Sequence, residues 1–226
     1  MKERANSWQG LALSIGAIVV ALGVTAWFDK PEQEVCGRHV ALVVDRSGSM
    51  EFLVSEVVDN VNAVLDSLAA TDRVSILFFE DPYGVIRYVE NQPVDGVSKL
   101  AYRDYIPLGG TPLYDAVGVA IREVVAPTLG AARELKFGLV IILSDGEENA
   151  SVRYSLSEAR DAVAAALESG IEIRFYGMGP AAAAEARALG IPLSATLEVD
   201  SSAAGLDEAF DDLQRSLGQA DAPAGC

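Results

Sequence analysis

The stretch HVALVVDRSGS, residues 39–49, decides the fold of this chain. Residues 40–44 are all apolar, without the alternation of a strand that has one wet face, and the run ends at Asp45. Such a run, closed by a Ser/Gly loop, is typical of a strand buried on both faces in a parallel sheet that helices cover. The loop therefore places Ser47 and Ser49 just beyond the carboxyl end of a central strand.

Outward from this stretch, short apolar runs alternate with longer amphipathic segments. A turn at Tyr83 and Gly84 predicts that the next strand pairs antiparallel at an edge. The alternation predicts an α/β fold: a doubly wound, mostly parallel six-stranded sheet with one antiparallel edge strand and helices on both faces. The predicted strands are 39–44, 74–79, 85–89, 136–143, 171–176 and 196–199, and the predicted helices are 52–70, 113–125, 157–169, 181–189 and 203–217.

Length and composition agree with this fold. The 226 residues suffice for one sizeable α/β domain. Half of them are apolar and only 7% are aromatic, which suits a buried sheet under Ala-rich helices. The formal net charge is −16 and the basic residues form no cluster, so we expect no nucleic-acid partner.

The first 28 residues differ from the rest of the chain. Lys2 and Arg4 precede an uncharged stretch, 7–28, which reaches the roughly 20 residues needed to cross a bilayer. Tryptophans bracket the stretch, as interfacial aromatic residues do. The alternative is a secretory signal peptide cleaved after Ala26. We favour an uncleaved N-terminal transmembrane helix whose basic end stays in the cytoplasm, and either interpretation places the domain outside the cytoplasm.

Two cysteines flank the predicted domain. Cys36 precedes the first strand and Cys226 is the last residue given; neither lies in an apolar run that would bury a free thiol. Exported domains keep disulfides, so we expect a Cys36–Cys226 bridge, the alternative being two unrelated thiols. The predicted organisation is a membrane anchor or signal sequence at 1–28, a linker at 29–37, the domain at 38–217 and a tail at 218–226. We therefore expect a membrane-anchored domain in the periplasm or at the cell surface, secreted if the anchor is cleaved.

Three polar clusters stand at the predicted carboxyl edge of the sheet: DRSGS at 45–49, GGTP at 109–112 and SDGEEN at 144–149. In doubly wound sheets, ligands bind beyond the carboxyl ends of the strands, so we expect the clusters to converge. Carboxylates and hydroxyls without thiolate or imidazole suit Mg²⁺, Mn²⁺ or Ca²⁺ and disfavour zinc. The candidate metal ligands are Asp45, Ser47, Ser49, Thr111 and Asp145.

The DRSGS segment resembles the Asp-x-Ser-x-Ser signature of the metal-ion-dependent adhesion site (MIDAS) in von Willebrand factor type A (vWA) domains. Thr111 is similar to the family's loop threonine, and Asp145 is similar to its final aspartate. The resemblance implies that Ser47 and Ser49 contact the ion directly and that Thr111 does so directly or through water. It also implies that Asp45 and Asp145 lie close by, often through water, and that an open coordination position takes a partner's Asp or Glu.

Each cluster also has a plain structural interpretation. Asp45 or Ser47 can cap the helix that follows, Thr111 can cap the helix near 113, and Asp145 can begin an ordinary turn. Their joint occurrence favours the metal site. Arg46 departs from the small or acidic residues common at its position in the family, and we expect it to crowd the rim or to pair with an incoming carboxylate.

The function that follows is a non-enzymatic, adhesion-type module that binds a protein partner's Asp or Glu through a divalent cation, most simply Mg²⁺. The alternatives are a metal-assisted hydrolase, with the ion as Lewis acid, and a subunit of a metal-chelatase-like assembly. A hydrolase needs a base, but His39, the sole histidine, lies in a predicted strand. Glu147 and Glu148 are expected to be solvated rim residues. The sequence has neither a dinucleotide fingerprint after the first strand nor a phosphate-binding loop.

Overall fold

The computed structural model describes residues 37–131 and 135–219, and its centre is a six-stranded sheet. The strand order is β3-β2-β1-β4-β5-β6, with β3 antiparallel to β2 and every other pair parallel. The predicted sheet with its antiparallel edge strand is confirmed. The strands are β1 Gly37–Asp45, β2 Arg73–Glu80, β3 Gly84–Pro93, β4 Leu135–Ser144, β5 Glu172–Met178 and β6 Thr196–Val199.

Helices connect the parallel strands. A 3-10 helix, Gly48–Leu53, leads directly into α1, and a continuous helical stretch comprises α2, a π-helical segment Val119–Val125 and α3. The α-helices are α1 Val54–Ser67, α2 Leu113–Gly118, α3 Ala126–Ala131, α4 Leu156–Glu168, α5 Pro180–Ala188 and α6 Ala203–Gln219. Short 3-10 turns lie at Val94–Gly96, Tyr102–Asp104 and Leu193–Ala195.

The sheet is buried on both faces because alternate side chains of each central strand enter different cores. From β1, Val40 and Leu42 join the core formed with α1 and α6, whereas Ala41 and Val43 join the core formed with α2, α4 and α5. This is why residues 40–44 show no polar alternation. The strand order reverses between β1 and β4, so the crevice beyond their carboxyl ends is the expected place for a ligand.

Some element boundaries differ from the sequence predictions. The helix predicted at 52–70 begins as a 3-10 helix and is α-helical only over Val54–Ser67. The helix predicted at 113–125 continues to Ala131, with π-helical hydrogen bonding in its middle. Strand β3 is longer than predicted, because bulges in its pairing with β2 carry it on through the polar residues 90–92, which show no alternation.

Among residues 37–131 and 135–219, none of the helices is long and apolar enough to cross a bilayer. The predicted membrane anchor at 1–28 lies outside the described residues. So do Cys36 and Cys226, so the disulfide stays a prediction.

Candidate metal-binding site

The first site residue, Asp45, ends the central strand β1 and is fully buried. Its Oδ1 accepts a hydrogen bond from the backbone N–H of Ser47 at 2.8 Å, and its Oδ2 accepts one from the Ser144 hydroxyl at 2.6 Å. Ser47 occupies the N-cap position of the following 3-10 helix, but its side chain makes no capping hydrogen bond. The Ser47 hydroxyl therefore does not cap this helix, and Asp45 does not occupy the N-cap position.

Ser47 and Ser49 connect the loop after β1 to the loop after β4. Their hydroxyl oxygens lie 3.0 Å apart, and the Ser49 hydroxyl donates to Asp145 Oδ1 at 2.8 Å. Ser47 is buried, Asp145 is half-buried, and Ser49 is exposed. Two hydrogen bonds thus join three predicted ligands across the point where the strand order reverses.

Thr111 lies beside the same cluster. A Cβ added to Gly146 would lie 3.1 Å from Thr111 Oγ1, so the buried threonine hydroxyl faces the residue directly after Asp145. The backbone N–H of Thr111 donates to Asn149 Oδ1 at 2.8 Å, and its carbonyl accepts the N–H of Asn149 at 3.2 Å. Pro112, rather than Thr111, is the N-cap of α2. The structure therefore brings all five predicted residues to one edge of the sheet.

The two carboxylates of the cluster are costly to keep charged without a cation. The pKa of Asp45 is raised to about 6, chiefly by burial and to a smaller extent by the charge of Asp145, while hydrogen bonds from Ser144 and Ser47 act in the opposite direction. Burial also raises the pKa of Asp145. A cation beside these groups would favour their ionised forms.

The donor set fits a hard divalent cation. It consists of three hydroxyl and two carboxylate groups, with neither sulfur nor imidazole. Among the described residues there is no cluster of three or more His, Cys, Asp or Glu that could hold a metal instead. Because only two of the five groups carry charge, a bound ion would keep part of its positive charge for an outside anion.

Arg46 points into the protein rather than over the rim. Its guanidinium donates to both carboxylate oxygens of Glu80, at 2.5 and 2.9 Å, and lies 5.3 Å from the centre of the Phe78 ring. It also donates to the carbonyl of Asp104. The expectation that Arg46 crowds the rim or pairs with an incoming carboxylate is wrong, because Glu80, at the end of β2, is buried and already neutralises it.

Tyr105 was not singled out by the sequence. Its ring is buried edge-on against Phe78, and its hydroxyl donates to the backbone carbonyl of Asp45. The tyrosine therefore fixes the end of β1, from which the Asp45 side chain projects. An aromatic residue in the irregular segment before GGTP was the only signal, and nothing local points to its partner.

Glu148 is a structural residue, which corrects the expectation of a solvated rim carboxylate. It accepts hydrogen bonds from the backbone N–H groups of Tyr114, Ala150 and Ser151, at 2.9, 2.9 and 2.7 Å, and from the Ser151 hydroxyl at 2.6 Å. Glu147 is exposed, as expected. Glu148 thus ties the loop after β4 to the start of α2, because its partners lie in both.

Asp115 strengthens the same connection. This carboxylate is buried in the first turn of α2 and accepts the backbone N–H groups of Val152, Arg153 and Tyr154, at 3.0, 2.8 and 2.8 Å. The loops that carry Thr111 and Asp145 are therefore held together by two carboxylates: Glu148, whose role the sequence analysis predicted wrongly, and Asp115, which it did not name.

The only histidine of the chain lies far from this cluster. His39 stands six residues before Asp45 in β1, which is about 20 Å along an extended strand. It is buried between the hydroxyls of Ser75 and Thr128, at 2.8 and 2.6 Å. Burial lowers the pKa of His39 to about 4, with a smaller contribution from the charge of Arg73. The imidazole is a neutral core group and takes no part in the site.

Comparisons with known proteins agree with this architecture. The sequence profile of the von Willebrand factor type A domain matches residues 39–212. Proximal thread matrix protein 1 from the mussel byssus superposes with a TM-score of 0.62 at 18% identity, over 81% of this chain and 46% of its own. Another structure of that protein has a zinc-occupied MIDAS motif and gives a TM-score of 0.60 at 18% identity, over 81% of this chain and 46% of its own.

A bacterial adhesin has a similar fold. The pilus adhesin SpaC from Lactobacillus rhamnosus GG, in its open conformation, gives a TM-score of 0.59 at 16% identity over 82% of this chain and 30% of its own. This chain thus spans less than half the length of each of these proteins, and at such identities the likeness establishes the fold alone. No curated protein sequence matches the chain.

Proposed function

This chain belongs to the von Willebrand factor type A domain family, and we propose that it is an adhesion-type module that binds a protein partner through a divalent cation. The ion, most simply Mg²⁺ with Mn²⁺ or Ca²⁺ as alternatives, would be held by the hydroxyls of Ser47, Ser49 and Thr111. Asp45 and Asp145 would lie beside it. When bound, the ion supplies a coordination position for an Asp or Glu of the partner.

The observation that carries the proposal is the hydrogen-bonded path from Ser47 through Ser49 to Asp145. It joins the segment after β1 to the loop after β4 and brings hydroxyl and carboxylate oxygens of both to one point. The surrounding groups orient these donors: the Ser144 hydroxyl fixes the Asp45 carboxylate, and Asn149 fixes the backbone of Thr111. These contacts therefore hold the carboxylate of Asp45 and the backbone of Thr111 in fixed orientations.

The binding role is preferred to hydrolysis because a hydrolase needs a free base near the ion. Among the described residues, Glu148 uses its carboxylate on four donors of the protein, and His39 is buried at the far end of β1. These two assignments favour a non-enzymatic role, which is the one we propose. Proteins of similar fold include an adhesin and a matrix protein, which accords with this role.

We further propose that the domain lies outside the cytoplasm, held to the membrane by residues 1–28 or secreted if that segment is cleaved. The support is the uncharged N-terminal stretch with its basic start, together with the two cysteines that flank the domain. The partner would be a protein, because a net charge of −16 repels nucleic acid.

The test is a titration of the purified chain with Mg²⁺, combined with thermal melting. At a Mg²⁺ concentration 100-fold above the dissociation constant, mass action would stabilise the wild type by about 2.7 kcal/mol. Ser49→Ala and Asp145→Ala should lose most of this response while keeping the fold, since both residues lie beyond the strands and outside the hydrophobic cores. Matched controls are Ser157→Ala and Asp161→Ala, at exposed positions of α4.

A pull-down from the native membrane fraction tests the partner. Capture should require Mg²⁺, fail in EDTA, and fail with Asp145→Ala even when Mg²⁺ is present. If all variants respond to Mg²⁺ alike, the ion does not bind at these residues. If the ion binds but capture ignores it, the metal is structural and the proposed function is wrong.

A further inference from the structure

Large apolar side chains are exposed in an uneven pattern around the proposed site. The described part of the chain exposes nine of them, and five lie at the carboxyl edge of the sheet, four on loops and one in the 3-10 helix Gly48–Leu53. We call these five the apolar rim: Phe52, Tyr83, Ile106, Leu108 and Val152. Phe52 and Val152 are 86% and 91% exposed, so neither contributes to the core. Their positions call for an explanation other than folding.

The rim residues lie on loops that backbone hydrogen bonds join to one another. The N–H of Leu108 donates to the carbonyl of Arg46 at 2.8 Å, and the N–H of Gly48 donates to the carbonyl of Gly109 at 3.0 Å. These bonds connect the loop that contains Ile106 and Leu108 to the loop that contains Ser47, Ser49 and, one turn further, Phe52.

Two further bonds complete the ring of loops. The N–H of Asp81, at the turn that exposes Tyr83, donates to the carbonyl of Gly110 at 3.1 Å. On the other side, Val152 is fixed to α2 by its hydrogen bond to Asp115. The loops that carry the apolar rim are therefore hydrogen-bonded to the segments that carry the hydroxyl and carboxylate cluster, so the rim residues lie on the same edge of the sheet as the cluster.

We propose that the apolar rim is the part of the binding face that selects the partner. The occupant is a protein segment whose Asp or Glu is flanked by apolar side chains. This inference rests on the proposed function: the carboxylate binds the ion, and the flanking side chains cover the rim. Exposed apolar side chains that are concentrated on one part of a monomeric protein's surface, rather than scattered singly, mark interaction sites.

Charge favours such a segment over the other surfaces that an apolar face can bind. A second copy of this chain would also carry a net charge of −16 and would be repelled. Anionic lipid headgroups would repel the chain in the same way. A segment with one carboxylate at the ion and neutral apolar neighbours adds little further negative charge. The apolar side chains of such a segment would also remove the apolar rim from water, which is favourable.

Two of the other four exposed apolar residues offer a matched control. Leu167 ends α4, and Leu193 lies in the 3-10 turn just before β6, so both lie at the amino edge of the sheet, opposite the site. A double change there, Leu167→Ser with Leu193→Ser, removes a similar apolar surface without touching the rim. The test variant is Phe52→Ser with Val152→Ser. Thermal melting checks that both double variants remain folded.

The experiment is selection from a phage-displayed library of nine-residue peptides that have a fixed central Asp and random flanks. The probe protein is the purified chain in Mg²⁺. The wild type and the Leu167/Leu193 variant should enrich apolar residues beside the Asp, and the Phe52/Val152 variant should not. A selected peptide should bind the wild type about tenfold more tightly than the same peptide with serine flanks, and the Phe52/Val152 variant should show little difference.

The outcomes separate this inference from the proposed function. Mg²⁺-dependent peptides without apolar flanks would overturn the role of the rim and leave the metal function standing, whereas apolar selection that survives EDTA and central Asp→Asn would overturn the metal function. A selection that yields no Mg²⁺-dependent peptide would overturn the inference. So would sedimentation that shows a dimer broken by the Phe52/Val152 change, or capture of the chain by phosphatidylserine vesicles that the same change abolishes.

Discussion

Replacing His39 by glutamine should make the protein's stability less dependent on pH. In the structure, Thr128 donates its proton to the carbonyl of Val125, so the imidazole donates to Thr128 through Nδ1 and accepts the Ser75 hydroxyl at Nε2. Ser75 Oγ is also the acceptor for the N–H of Asn91. Protonation of His39 would place a hydrogen on Nε2, facing the hydroxyl hydrogen of Ser75 in a buried site. This unfavourable contact agrees with the lowered pKa of His39, about 4.

The direction and size of this pH effect on the unfolding free energy follow from the difference between the pKa of His39 in the folded and in the unfolded chain. The unfolded chain protonates His39 near pH 6.5 and the folded chain only near pH 4, so the stabilising effect is complete above pH 6.5 and is lost as pH falls toward 4. At pH 4.5 the loss is about 2.5 kcal/mol of unfolding free energy. Glutamine keeps an amide donor and a carbonyl acceptor for the two hydroxyls but has no proton to gain.

The assay is urea denaturation of wild type and His39→Gln at pH 7.5, 6.5, 5.5 and 4.5, with EDTA present throughout. The difference between the two proteins is the quantity of interest, since carboxylates titrate in the same range in both; Asp45, with its raised pKa, acts in the opposite direction. Glutamine costs some packing energy at every pH. This cost changes the size of the difference in unfolding free energy between the two proteins but not its dependence on pH. A difference that stays constant between pH 7.5 and 4.5 would refute the reasoning.

Removing one partner of the buried Arg46–Glu80 pair, by Glu80→Gln or Arg46→Met, should cost about 3–5 kcal/mol in chemical denaturation, and the double change should cost clearly less than the sum of the two. Asp115→Asn should cost about 1–3 kcal/mol and speed hydrogen exchange of the 152–154 amides more than that of β1; equal effects on both would assign Asp115 a purely global role. Mass spectrometry of the non-reduced protein should find Cys36 and Cys226 in one disulfide-linked peptide pair, and recovery of both as alkylated thiols would contradict the bridge.

Sequence patterns predicted the fold well because its signals are local. The apolar run before Asp45 and the alternation of strands with amphipathic helices each reflect burial that neighbouring residues share. The candidate site was accessible for a related reason: parallel strands end at a common edge, so polar residues directly after them converge. Residue types at Ser47, Ser49 and Asp145 then sufficed to propose a chemistry.

The roles of Arg46, Glu148 and Tyr105 could not be predicted, because each side chain contacts a residue that is distant in the sequence. Nothing near Arg46 indicates that Glu80 neutralises it, and nothing near Glu148 indicates that it accepts the N–H of Tyr114. Both contacts cross loops whose paths are set by the packed domain rather than by local propensity. The same applies to Tyr105, whose partner is a backbone carbonyl that no residue type reveals.

The contact between Ser49 and Asp145 spans 96 positions of the chain, and this has a consequence for folding kinetics. During synthesis from the N-terminus, β1, α1, β2 and β3 are made before β4, so the two halves of the site can meet only after the second half of the sheet has been made and joins the first. Loop-closure entropy makes such non-local contacts form late. A half-folded chain would therefore have almost no affinity for the ion or for a partner, and a bound cation would stabilise only the completed sheet.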